Sequence, residues 1–296
     1  MRKTMSGNKI EEHLIRKMIE AGIDSDDVRL EVSLFAEEAC DDDELKAFAE
    51  RRIQGEPMAY ILGYRDFYRD RFSVAPGVLI PRSDTEILVE CALKFAGVLD
   101  FPMGDVLNIP ECSYKPDKIR FADLCTGTGC IGISVYKELI RHGRDAEAIL
   151  TDISPDALSC SSMNIERLTG EHDKIRVIKN DVLEDVNMTD IFDPETADII
   201  ISNPPYINDN DMKELDDVVG HHEPHLALEG GADGLRFYPP VAHRAMSLLK
   251  AGGALMVEHG YDQGEAVRKI FSHAGFNNVM TLRDYGSVER VTFGIK

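Results

Sequence analysis

The sequence predicts an α/β fold, a parallel sheet covered by helices on both faces and preceded by a small helical segment. Three observations carry that reading. From Ile119 onward, short apolar strands alternate with helical patterns, and regular β-α-β alternation builds a parallel sheet packed on both sides. The first of those strands runs straight into Gly127-x-Gly129-x-x-Gly132, and Asp152 follows 20 residues after Gly132, at the end of the next strand. The N-terminal part, residues 1–58, shows helical spacing instead of strand alternation.

Composition narrows the class. A chain of 296 residues fits one large or two smaller domains. Lys+Arg number 33 and Asp+Glu 53, a formal net charge of −20. Such a balance repels nucleic-acid phosphates and anionic membranes, so neither is an expected partner, and a monomer is expected. The six cysteines form no C-x-x-C pair, which points to free buried thiols in a reducing compartment. Residues 1–10 hold no apolar stretch like a secretory signal. The longest apolar run, near 197–201, is far short of the ~20 residues that span a bilayer. A cytoplasmic location is expected.

The elements follow in order. Leu14, Ile15, Met18 and Ile19 recur at helical spacing and stop at Gly22. A second helix is predicted over 25–39, with Val28, Val32, Phe35 and Ala36 on one side, and a third over 42–53, opened by acids that complement the macrodipole. Gly55 and Pro57 end it. Residues 59–81 are rich in Tyr, Phe, Val and Ile and broken by glycine and proline, which predicts a β-hairpin linker. Ser83-x-x-Glu86 has the form of a capping box before a helix that buries Ile87, Leu88, Cys91, Ala92 and Phe95. From 98 to 118 there are three prolines and no period, so a loop or insertion is expected, mainly over 101–118. Strands are predicted at 119–124, 148–151, 175–178, 199–202 and 254–257, with two more at the end of the chain. Helices are predicted at 129–140, from Ser154-Pro155 to Gly170, at 241–249 and at 263–274.

Chemistry concentrates at two segments. The glycines of Asp123-Leu124-Cys125-Thr126-Gly127-Thr128-Gly129 let the backbone turn tightly and approach a ligand, and a carboxylate at Asp152 can accept from both hydroxyls of a ribose. A dinucleotide and S-adenosylmethionine both use that geometry. Asp123 favours the second, because a carboxylate two residues before the loop can order an ammonium or nearby backbone but repels a phosphate. Asp181 is placed either to receive an adenine amino group or to cap a turn. The second segment, Asn203-Pro204-Pro205-Tyr206, leaves a strand through two prolines that stiffen the turn. A planar amide or aromatic amine is a poor nucleophile. Asn203 Oδ1 and the Pro204 carbonyl can each take one N–H and hold its lone pair toward an electrophilic methyl, while Tyr206 stacks on the planar group. His221-His222-Glu223-Pro224-His225 could be drawn as a metal site, but the residues are too close in sequence and Pro224 breaks a helix there, so no metal is expected.

With these motifs in place, the chain resembles the HemK/PrmC family of peptide chain release factor glutamine N5-methyltransferases. The resemblance runs through Gly55-Glu56-Pro57, Tyr60-Ile61-Leu62-Gly63, Val78 to Arg82 with Asp84-Thr85-Glu86, and Asp123 to Gly129. It continues through Asp152-Ile153-Ser154, Asn203 to Ile207, Glu223-Pro224, Ala227-Leu228 with Gly230-Gly231, and Asp233-Gly234-Leu235. It implies a seven-stranded Rossmann-like class I methyltransferase domain over 82–296, preceded by a helical domain over 1–58 that docks the release factor. It implies S-adenosylmethionine at Thr126, Gly127, Gly129 and Asp152, and a Gly-Gly-Gln glutamine held by Asn203 to Tyr206. The cofactor set expected from both readings adds Asp123, Cys125, Thr128, Asp181, Val182 and Asn203. Ser83, His259 in Glu258-His259-Gly260, the 286–290 segment and the 101–118 stretch depart from the family pattern. An amino-methyltransferase acting on adenine in DNA or RNA shares the Asn-Pro-Pro-Tyr chemistry, but neither the −20 charge nor any Lys/Arg-rich run supports it. An NAD-dependent oxidoreductase and a silent binding module leave the tetrapeptide unexplained.

Overall fold

The computed structural model describes residues 7–98, 109–114, 116–184, 192–215, 220 and 222–296. Half of the 101–118 stretch (101–108 and 115) and His221 of the histidine cluster lie outside those residues.

Three helices, α1 (Gly7–Glu20), α2 (Ser25–Glu38) and α3 (Asp42–Ile53), begin the chain. Asp24 and Asp41 cap the second and third, their carboxylates accepting backbone N–H groups of the first turn. Leu14 and Met18, Val28, Val32 and Phe35, and Leu45 and Ala49 pack into one buried cluster, joined by Ile61. Ile61 belongs to a short helix, α4 (Met58–Leu62), which ends at Gly63 with φ 78°. The predicted hairpin is therefore shorter than 59–81. It consists of β1 (Tyr64–Phe67) and β2 (Asp70–Ser73), paired antiparallel.

The capping box does not form. Ser83–Thr85 is a 3-10 turn, and α5 (Glu86–Phe95) starts without a side-chain cap. Glu86 instead accepts the Tyr68 N–H at 3.0 Å, where the hairpin turns with Tyr68 at φ 55°. The tertiary partner takes the carboxylate that the local motif assigns to its own helix.

The sheet has seven strands in the order β5-β4-β3-β6-β7-β9-β8. They are β3 (Lys118–Leu124), β4 (Asp145–Asp152), β5 (Ile175–Lys179), β6 (Ala197–Ser202), β7 (Leu249–Glu258), β8 (Asn277–Arg283) and β9 (Glu289–Ile295). β3 to β7 run parallel, while β9 is antiparallel to both β7 and β8. The parallel run ends near one edge, where the short 284–288 connection joins β8 and β9 as a hairpin. β7 also starts earlier than expected and carries Gly252-Gly253 inside it, where the pairing with β6 shifts register between Ala197 and Ile199. A Cβ on Gly253 would stand 3.0 Å from the Asp198 carbonyl oxygen, so the close approach needs glycine.

Strand alternation sends side chains to two cores. Phe121, Ile199, Ile201 and Met256 face α5 and α6 (Cys130–Arg141). Ala122, Leu124, Ile200, Leu255 and Val257 face α8 (Tyr238–Leu248) and α9 (Gly264–Ala274). α7 (Pro155–Leu168) follows β4, with Pro155 in its first turn and the Ser154 hydroxyl as cap. Its Asn164 accepts the Ser73 N–H at 2.8 Å and donates to Ser73 O at 3.0 Å and Thr128 O at 2.9 Å. One fully buried amide thus ties the hairpin, the helix and the glycine loop together. The seven-stranded order with its antiparallel edge is the class I methyltransferase sheet the resemblance implies.

Candidate active site

The strand order reverses between β3 and β6, and ligands of open α/β sheets bind beyond the carboxyl ends of strands at such a point. The ends of β3, β4 and β6 carry the glycine loop, Asp152 and Asn203. A cavity of about 480 Å³ opens there. Cys125, Thr126, Gly127 and Thr128 line it with Asp152, Asp181, Val182, Asn203 and Pro205.

The loop is shaped from beneath. Asp123 is fully buried, and its Oδ2 accepts from the Thr126 hydroxyl at 2.6 Å and the Gly132 N–H at 3.0 Å. It does not reach the cavity wall. Of the two roles open to it, ordering the backbone is the one its hydrogen bonds support. Burial pushes its carboxyl up to about 7, and the bonds from Thr126 and Gly132 oppose that. Gly129 also stands outside the wall. It begins α6 at φ 82°, and a Cβ there would meet Ile133 Cδ1 at 2.8 Å and Ser161 Cβ at 3.2 Å, so its task is close helix packing. Gly127, at φ 57°, has no atom within 4 Å of where its Cβ would be. It faces open space and leaves the loop backbone bare to a ligand.

Asp152 is held from both sides. Gly127 N donates to Oδ2 at 2.9 Å and Ser154 N to Oδ1 at 2.9 Å. Burial raises its pKa while these amides lower it. Each carboxylate oxygen can still accept a further hydrogen bond, as a ribose diol requires. Asp181 caps a turn, accepting Leu183 N–H at 2.8 Å, and it also lines the cavity. Arg244 of α8 is the support the sequence did not single out. It is 4% exposed and donates to Asn180 Oδ1 and Asp181 O, each at 2.5 Å, and to Glu184 O. A lone arginine in an apolar helical pattern was the available signal.

A second recess of about 110 Å³ adjoins the first. Pro204, Tyr206, Ile207 and Glu258 line it, and Asn203, Leu79, Arg82 and Ala227 line both spaces. Arg82 is anchored by Glu223 at 2.5 Å, and Glu223 also accepts from Ile80 N at 3.3 Å, which joins the end of the linker to the 222–228 segment. Gln263 donates to Tyr206 O at 2.9 Å and fixes the turn after the two prolines. Burial raises the Tyr206 phenol, so it stays neutral. Among the described residues no three His, Cys, Asp or Glu side chains gather as a metal site. His225 turns to the Gly220 carbonyl at 3.1 Å.

The family model named Methyltransferase small domain matches residues 109–231. The release factor glutamine methyltransferase of Clostridium acetobutylicum is 36% identical over 240 residues, covering 81% of this chain and 75% of that protein. The chain belongs to the release factor glutamine methyltransferase family. The Escherichia coli member is 36% identical over 252 residues, covering 85% of this chain and 79% of its own length. A solved methyltransferase from Pyrococcus furiosus superposes with a TM-score of 0.48 at 14% identity, over 76% of this chain and 88% of that one. Every segment that carried the family resemblance in the sequence borders one of the two cavities or supports a residue that does, except Gly55-Glu56-Pro57, where Arg51 and Glu56 pair at 2.5 Å between α3 and α4.

Proposed function

We propose that this chain transfers the methyl group of S-adenosylmethionine to the side-chain amide nitrogen (N5) of the glutamine in the Gly-Gly-Gln motif of a peptide chain release factor. The observation that carries the reading is Asn203, which stands in the wall common to the large cavity and the small recess. A side chain so placed can touch a donor on one side and an acceptor on the other.

The larger cavity fits the cofactor. Its acids are Asp152, Asp156, Asp181 and Glu229, against Arg82 and Arg236. That excess of negative charge suits a sulfonium and an ammonium and disfavours a pyrophosphate. Asp152 takes the ribose hydroxyls, the 126–128 backbone borders the amino-acid part, and Asp181 with Val182 borders the base. Bound S-adenosylmethionine supplies an electrophilic methyl on a positively charged sulfur.

The chain's own residues prepare the nucleophile. Asn203 Oδ1 and the Pro204 carbonyl each accept one N–H of the glutamine amide. Tyr206 lies against its plane. The nitrogen lone pair then points along the line of transfer, and positioning of this kind supplies much of the barrier reduction. Two successive prolines stiffen the turn and hold the Pro204 carbonyl in place as an acceptor. After transfer the amide nitrogen gives its extra proton to water, since N-protonated amides are strong acids. Residues 1–58 dock the release factor, 59–81 link, and 82–296 carry the transfer, with a monomer in the cytoplasm as the acting form. Among the described residues no helix is long and apolar enough to cross a membrane.

The direct test is incubation with labelled S-adenosylmethionine and a purified release factor, followed by mass spectrometry of the Gly-Gly-Gln peptide. A gain of one methyl on the glutamine is expected. An unmodified peptide alongside a folded, cofactor-binding enzyme overturns the assignment.

A further inference from the structure

Glu258 ends β7 inside the recess, and nothing in the transfer chemistry above uses it. Ser202 and Val257 are register partners, so the next residues along the two parallel strands are Asn203 and Glu258. Glu258 is 2% exposed, and its Oε2 makes no hydrogen bond among the described residues. Its Oε1 accepts from the Tyr206 hydroxyl at 3.5 Å, a long bond, and Thr85 and Asn203 are the other polar side chains that favour its charged form. A buried carboxylate this poorly paired is costly, and it faces the small cavity directly.

We infer that Glu258 is a positioning residue that, acting through Thr85, decides which end of the Asn203 amide faces the methyl acceptor. The inference rests on the reading of the small recess as the acceptor site. Asn203 Nδ2 donates to Thr85 Oγ1 at 3.4 Å, and both the Thr85 hydroxyl and the Asn203 amide face the Glu258 carboxylate. An ionised carboxylate only accepts. Thr85 therefore turns its proton toward Glu258 and offers a lone pair to Asn203 Nδ2. That leaves Asn203 Oδ1, the atom that must receive the substrate N–H, free for the recess. A group at 258 able to donate to Thr85 removes the bias and lets the amide turn its NH₂ toward another N–H.

The surroundings set when the carboxylate is ionised. Burial raises its pKa to about 7, opposed by Thr85, by the Arg290 guanidinium on β9 and by Asn203, and assisted by Asp84. Arg290 is itself held by Asp284 at 3.1 Å and Asp84 at 3.6 Å. Arg82, in the wall of the recess, is committed to Glu223. Tyr206 stays neutral, and the Tyr238 hydroxyl is placed between Gln263 Oε1 at 3.1 Å and the Glu258 backbone carbonyl at 3.3 Å.

The experiment measures methyl transfer to intact release factor at saturating S-adenosylmethionine, from about pH 5.5 to 8.5, with the wild-type chain, Glu258→Gln and Thr85→Val. Wild-type turnover on the glutamine tests the function itself; its absence sinks that reading and this one with it. Given that turnover, the wild-type rate is expected to rise with pH through a midpoint near 7. Glu258→Gln should lose that rise and about 10–100-fold in kcat, with the KM for release factor and the affinity for S-adenosylhomocysteine within about twofold. Thr85→Val leaves the carboxylate in place, should lose kcat similarly, and decides the matter if the Gln variant does not fold. Wild-type kcat in Thr85→Val, an unchanged pH rise in Glu258→Gln, or a loss of cofactor affinity in step with kcat overturns the inference.

Discussion

The Gly127 amide donates to Asp152 Oδ2 at 2.9 Å, so the glycine loop after one strand is fastened to the carboxylate at the tip of the next. The bond presets the loop and aims the carboxylate before any cofactor arrives. Asp152→Ala is expected to weaken S-adenosylmethionine binding by about 2–4 kcal/mol, through lost charge-assisted bonds to the ribose and a loosened loop. Calorimetry giving equal affinity for variant and wild type would remove Asp152 from the cofactor site.

Asn203 separates chemistry from scaffold. Asn203→Ala should fold, because Pro204, Pro205 and the Gln263 bond to Tyr206 O still hold the turn. Cofactor affinity should change little, whereas methyl transfer should fall by at least ~10²–10³-fold, the scale of losing one preorganised partner in a closed site. Asn203→Asp keeps an acceptor oxygen and should retain part of the rate. Tyr206→Phe should be mild and Tyr206→Ala severe. Single-turnover rates on a release factor substrate check all four, and wild-type turnover in Asn203→Ala would end the amide-clamp mechanism.

Asn164 is a purely structural target. Its replacement by alanine removes the partner of the Ser73 amide and of the Thr128 carbonyl, and leaves the Ser73 carbonyl only the Cys160 thiol among the described residues. A loss of about 2–4 kcal/mol in unfolding free energy is expected from chemical denaturation. A change under about 0.5 kcal/mol would mean that the hairpin docks by apolar packing alone.

Asp123 makes a pH prediction. Its folded-state pKa is raised to about 7, above the ordinary value near 4 for an unfolded aspartate. A group raised in this way contributes stability that is present at low pH and is lost as pH climbs through the window between those values. Asp123→Asn cannot titrate. The stability of the variant relative to wild type should therefore rise from about pH 5 to pH 8. Denaturant melts at both ends of that range, giving a constant difference, would contradict the buried-acid account.

The helical segment supplies the last prediction. Its apolar cluster is separate from both cores of the sheet. Deleting residues 1–57 keeps the hairpin and its bonds to Asn164, and should preserve S-adenosylhomocysteine binding while abolishing methylation of intact release factor. Full activity of the shortened chain would show that these helices do not dock the substrate.

Much of this was legible in the residues themselves. Local signals are strong where a segment decides its own conformation. The spacing of Val28, Val32 and Phe35, Asp41 before its helix, Pro155 after Ser154, and glycines where φ is positive all read through to the structure. The glycine loop, Asp152 and Asn203 to Tyr206, which the fold brings to the two cavities, stood out in the sequence for the same reason, since they are short contiguous motifs. What the tertiary structure decided involves partners far apart in the chain. Glu86 turned from its own helix to Tyr68, and Gly129 packed close to Ser161 of a later helix. The partners of Arg244 and Glu258 could not be read locally, because Asn180, Asp181 and Tyr206 are brought to them only by the fold. A sequence states what a side chain is able to donate or accept, and only the fold determines which of several distant partners receives it.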